Sequence, residues 1–139
     1  MIQVTPKLYL GNMAEFGDVS ALNAAGIELA ISAVGSSSFP HSATIGAIAV
    51  NIEATGQQPD WMVKGIARLI SAVYGSKTLA ICDETGGFER AAYLVACAYC
   101  EKLTQSFAQG SVWLNASLGI SGPHRVSASL ILQGQMLWP

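Results

Sequence analysis

Between Leu79 and Tyr93 the chain reads Leu-Ala-Ile-Cys-Asp-Glu-Thr-Gly-Gly-Phe-Glu-Arg-Ala-Ala-Tyr, and the rest of the sequence is organised around this stretch. An apolar run suited to a buried strand meets a glycine-containing turn, and Arg90 then opens an alanine-rich helical segment. Strand, loop and helix N-terminus in that order make an anion site, because backbone N–H groups converge where the helix dipole is positive and an arginine adds a bidentate fork. The candidate loop comprises Glu84, Thr85, Gly86, Gly87, Phe88, Glu89 and Arg90. What such a loop can do depends on the side chain at its centre.

Gly87 lies three residues before Arg90 and Glu84 six before it, a frame that resembles the signature loop of the cysteine-dependent protein phosphatases, especially the dual-specificity phosphatases. In that family His-Cys is followed by five residues, then Arg, then Ser or Thr. Gly87 and Arg90 match, whereas Asp83 stands at the His position, Glu84 at the nucleophilic Cys and Ala91 at the hydroxyl residue. Leu8-Tyr9-Leu10-Gly11-Asn12, followed by Ala14, Asp18, Leu22 and Gly26-Ile27, resembles the entry of the same domain. The resemblance covers nearly the whole chain. It implies an α/β fold with a central, mostly parallel sheet and helices on both faces, a single domain over residues 1–139, and no cofactor or metal.

The resemblance also implies a general-acid aspartate just past the strand that ends at Ile52. Aligning the alternating apolar residues puts Ala54, or at best Glu53, at that position, and Asp60 follows as either a displaced acid or a helix-start residue. Phosphate-ester cleavage by this family needs a thiolate in the loop, since only the thiolate attacks phosphorus. A carboxylate at Glu84 would instead accept the hydrogen bonds meant for phosphate and pair with Arg90, plugging the site from within; the other reading turns Glu84 outward as a solvated carboxylate. Asp83 and Glu89 read as solvated or helix-start charges. The rival frame makes Cys82 the nucleophile, but its spacer to Arg90 is two residues too long, up to roughly 7 Å of extra chain, and a cysteine inside an apolar strand packs as a small hydrophobe. Loss of nucleophile, acid and hydroxyl predicts a catalytically inactive binding or regulatory module; the alternative is an active phosphatase using Cys82.

The elements that must hold these residues are legible from periodicity. Leu8, Tyr9 and Leu10 end one or two short opening strands. Asp18 is a helix N-cap, and Gly26 its left-handed stop. Ile27–Val34 reads as a strand buried on both faces. Gly35–Ser42 reads as an exposed loop long enough to touch a partner, and Ile48, Val50 and Ile52 mark a second strand beginning at Ile45. Pro59-Asp60-Trp61 starts a helix carrying Met62, Ile66, Leu69, Ile70 and Val73; it ends at Gly75-Ser76-Lys77, before the strand Thr78–Asp83. Ser106 caps a short helix with Phe107, Val112 and Leu114. After Gly119–Pro123 a last helix carries Val126, Leu130, Leu132, Met136 and Leu137.

A chain of 139 residues is long enough to bury a core without disulfides or metals. Charged residues make up 12% and apolar ones 51%, so the surface is poor in charge and a protein partner or self-association is expected. For the anion site itself the ligand class would be a phosphorylated protein. The longest apolar run, Ala91–Cys100, is about half of a bilayer span, and Gln3, Thr5 and Lys7 break up the N-terminal apolar residues, so no membrane role and a cytoplasmic setting are expected. Cys82, Cys97 and Cys100 form an odd set read as reduced thiols, with the C-x-x-C pair packing in a helix and both His41 and His124 distant in sequence. A net charge of −2 gives no nucleic-acid footprint.

Overall fold

The computed structural model describes residues 1–35, 44–53, 58–84, 88–110 and 127–139. Its centre is β5, Leu79–Asp83, five residues buried without exception. A strand buried on both faces must be flanked by strands and covered by helices, and both conditions hold. Parallel partners lie on either side, β2 (Leu8–Asn12) and β3 (Leu29–Ser32). Outside them, β1 (Ile2–Thr5) pairs antiparallel with β2, and β4 (Gly46–Ala49) pairs parallel with β3. The order is β1-β2-β5-β3-β4, the mostly parallel sheet expected from alternating strand and helix patterns.

Period-two alternation along the strands divides the core. Leu8, Leu10, Ile31, Leu79 and Ile81 face α3 (Asp60–Val73), α4 (Glu89–Leu103) and α5 (Ala128–Leu137), while Ala30, Ala80 and Cys82 pack with Phe16 and Leu22 of α1 (Met13–Phe16) and α2 (Val19–Ala24). Helices thus cover both faces. The α4 helix is apolar on all sides because it is the central helix of the thicker layer, with Ala91–Ala98 and Cys100 buried.

Several boundaries differ from the sequence reading. The strand expected over Ile27–Val34 is confined to Leu29–Ser32, since Gly26 at φ 75° and Ile27 still belong to the turn out of α2, while Val34 makes an isolated bridge to Asn51. Asp18 caps α2 as expected, its Oδ1 accepting from Ala21 N at 3.1 Å. Helix α1 was not anticipated, although Asn12 and Glu15 form a complete capping box: Asn12 Oδ1 accepts from Glu15 N at 2.9 Å and Glu15 Oε1 from Asn12 N at 3.0 Å. In α5 the N-cap is Ser127, and Leu132 and Met136, read as part of an apolar stripe, are exposed, because the buried side of this helix is Leu130, Gln133 and Gly134. Most of the Gly35–Ser42 loop, Val112, Leu114, Gly119–Pro123, Val126 and both histidines lie outside the described residues.

Candidate anion site

The loop leaves β5 at its C-terminal end, between two parallel neighbours, and returns as α4, the place where open α/β sheets present helix N-termini to ligands. Thr85, Gly86 and Gly87 lie outside the described residues, so the site is defined by its two ends. Alternation along β5 sends Asp83 to the same face as Leu79 and Ile81, beneath the first turn of α4, and its side chain is 2% exposed. Asp83 Oδ1 accepts from Glu84 N at 2.7 Å and Oδ2 from Ala91 N at 2.9 Å. The residue preceding α4, Phe88, sits in the left-handed region at φ 53° and offers no capping oxygen. Asp83 supplies that function from eight residues upstream, placing a carboxylate against the positive end of the helix.

Arg90 completes the arrangement. Its Nε donates to the Ile52 carbonyl at 2.7 Å, and its Nη1 stands 3.5 Å from Asp83 Oδ1 and 3.5 Å from Glu84 Oε2. One guanidinium therefore faces two carboxylates. Glu84, the expected plug, is 62% exposed: it pairs with Arg90 but at the surface. The buried anion is one position earlier, at Asp83; of its two expected roles, solvated or helix-start, the structure bears out the helix-start one, in a buried rather than a solvated setting. Strand alternation carried that signal, because Asp83 continues the Leu79–Ile81 face.

The remaining candidates fall apart from Arg90. Cys82, 1% exposed, points to the opposite side of the sheet among Phe16, Leu22 and Ala80; burial, reinforced by the Asp83 and Glu15 carboxylates, pushes its thiol up to about 12. Glu89 turns to the neighbouring helix, where Oε1 accepts from Ser127 N, the N-cap residue of α5. Glu53 is exposed and accepts from Asn51 Nδ2 at 3.3 Å. Asp60 is the first residue of α3 and accepts from Gln133 Nε2 at 3.2 Å, the helix-start role. Among the described residues, neither Glu53 nor Asp60 bonds to Arg90.

Sequence reasoning missed the polar network that braces Arg90's support. Gln58 and Gln133 are buried, and Gln58 Oε1 accepts from Glu53 N at 2.9 Å, fixing the backbone directly after Ile52. Gln133 Oε1 accepts from Gln58 Nε2 at 2.5 Å and from the Tyr93 hydroxyl at 2.9 Å, while Gln133 Nε2 donates to the Gln58 carbonyl at 2.9 Å. Burial, followed by the neighbouring Cys97, drives the Tyr93 hydroxyl far above its ordinary value, so it remains a donor. A glutamine within an apolar helical pattern was the available clue.

With this geometry in place, comparison with solved structures identifies the architecture. The chain superposes on human DUSP28 with a TM-score of 0.76 at 16% identity, covering 99% of this chain and 94% of that one. A mouse putative dual specificity phosphatase, solved with zinc tungstate, gives 0.76 at 17% identity, covering 98% and 84%. The human tyrosine phosphatase-like serine/threonine/tyrosine-interacting protein gives 0.75 at 13% identity, covering 96% and 92%. The fold is that of the dual-specificity phosphatases, as the loop frame and the opening residues implied. No protein-family model matches the sequence, and no curated protein sequence does.

Proposed function

We propose that this chain is a dual-specificity-phosphatase-like domain that performs no phosphoryl transfer and acts by binding, as a regulatory module. The observation that carries the reading is the pairing of Arg90 with the protein's own carboxylates, Asp83 buried and Glu84 at the surface, where the chemistry would require a thiolate. A phosphate dianion at Arg90 would have to share one positive charge with two negative ones, Glu84 at the surface and Asp83 behind it. Cys82 does not supply the missing nucleophile: its sulfur faces the other side of the sheet and is held as a thiol. One solved structure of this fold bears the name of a phosphatase-like interacting protein, and binding without catalysis is the role we assign here. Three buried, free thiols fit a reducing, cytoplasmic setting.

Hydrolysis of an aryl phosphate tests the proposal. The purified protein is expected to show a rate indistinguishable from that of its Arg90→Ala variant. Turnover abolished by both Arg90→Ala and Cys82→Ser would overturn it in favour of catalysis by Cys82, and turnover abolished by Glu84→Gln would overturn it in favour of carboxylate chemistry.

A further inference from the structure

Where the C-terminal parts of α3 and α4 meet the start of β2, the packing leaves a cavity of about 200 Å³. Protein interiors hold few voids larger than a water molecule, and a void of this size forfeits contacts that the fold would otherwise make. Its floor is Leu8, Ile70, Val95 and Ala98, all buried. Ser71 and Tyr74 also line it, but both hydroxyls are committed within the chain: Ser71 Oγ donates to the Arg68 carbonyl at 2.9 Å and the Tyr74 hydroxyl to Thr5 Oγ1 at 2.9 Å. The lining is almost wholly apolar, so a water there would lack the several polar partners that hold buried water, and the space favours an apolar guest. An engineered apolar cavity of about 150 Å³ binds benzene, which makes this one large enough for a single ring.

We propose that this cavity is a binding site for a small aromatic carboxylate, its ring inside and its carboxylate at the mouth. Tyr74 and Tyr99 both line the space, and aromatic walls favour a ring in offset or edge contact. Lys102 also lines it and is exposed, its Nζ 5.1 Å from the centroid of the Tyr74 ring. That ring contact supplies no counter-anion. Among the described residues no carboxylate pairs with Lys102, whereas Lys64 and Arg68 on α3 share Glu101 and Lys77 has Glu28. A guest carboxylate would fill that role. The cavity lies at the end of the sheet where β2 and β5 begin, since Leu8 pairs with Leu79, while Arg90 stands beyond the other end of β5. The proposal therefore stands or falls independently of the reading of Arg90.

Titration of the isotopically labelled chain with phenylpropionate, followed by methyl NMR at neutral pH, tests it. Saturable shifts are expected at Leu8, Ile70, Val95 and Ala98. The neutral phenylpropanol should bind about two- to five-fold more weakly, the increment of one exposed ion pair. Lys102→Met keeps an exposed stem without the charge and should erase that difference between acid and alcohol. Ala98→Leu fills the cavity and should abolish binding of both, with a thermal midpoint at or above the native one showing that the fold persists. Absence of saturable shifts in the native chain, equal affinity there for acid and alcohol, a difference that survives in Lys102→Met, or native-like binding by Ala98→Leu overturns the proposal.

Discussion

Asp83 governs the site through charge and Glu84 through position, and the two can be separated by experiment. Asp83→Asn keeps an oxygen for the Ala91 amide but removes the buried charge, leaving Arg90 opposed, among the described residues, only by an exposed carboxylate that solvent screens. We expect calorimetry at neutral pH to show tighter inorganic phosphate binding for Asp83→Asn than for Glu84→Gln, with the native protein weakest. Asp83→Asn should also cost about 1–3 kcal/mol of stability, since a charge-assisted cap and a largely buried ion partner are lost. A larger gain from Glu84→Gln would return the role of internal anion to Glu84. At this scale the sequence disclosed Arg90 and the absence of a thiol opposite it, but motif alignment drew attention to Glu84. Side-chain direction, set by the pleat of β5, decided for Asp83 instead.

Elements are held around the site by the buried amides of Gln58 and Gln133. Gln133→Leu fills comparable volume but strips partners from the Tyr93 hydroxyl and from the Gln58 side-chain amide, and it is expected to destabilise by about 2–4 kcal/mol in urea unfolding. Tyr93→Phe removes one hydroxyl and leaves Gln133 its bond from Gln58, so about 1 kcal/mol is expected. Equal costs for the two would show that Gln133 is not the hub. Periodicity made β5, α3 and α4 legible because each has a strong single signal: a wholly apolar run, an amphipathic stripe, an apolar helix closed by charges. Helix α5 was read less well, since its inward side uses a glutamine and a glycine while Leu132 and Met136 point outward. Hydrophobic pattern alone places Leu130 and Leu137 of such a helix correctly but puts Leu132 and Met136 on the wrong side.

At the scale of the whole molecule, Glu101 ties α3, α4 and the chain beyond α5 together. Its carboxylate accepts from Arg68 Nε at 3.1 Å and from Trp138 Nε1 at 3.0 Å and lies 3.7 Å from Lys64 Nζ, which itself sits 4.3 Å over the Trp138 ring. Partial burial opposes ionisation, but the hydrogen bonds from Trp138 and Arg68 and the two positive charges outweigh it, holding the carboxyl below its usual 4.5. A depressed folded value means that the stabilisation is complete above about pH 4.5 and is lost as pH falls through the folded value. Glu101→Gln should therefore lower stability by about 1 kcal/mol at pH 7, with the gap to the native protein closing towards pH 3 in thermal melts. A gap independent of pH would assign the effect to packing.

The Asp83 carboxylate receives the amides at both margins of the loop, Glu84 N on one side and Ala91 N on the other. Closure of the loop is thereby fastened at its ends, and no guest is needed at its centre to keep β5 and α4 in register. In evolutionary terms, such a fastening releases the intervening positions, Thr85 to Gly87, from the selection that a catalytic loop imposes on each residue. A domain of this fold fastened in this way keeps β5 and α4 together whether or not its loop does chemistry.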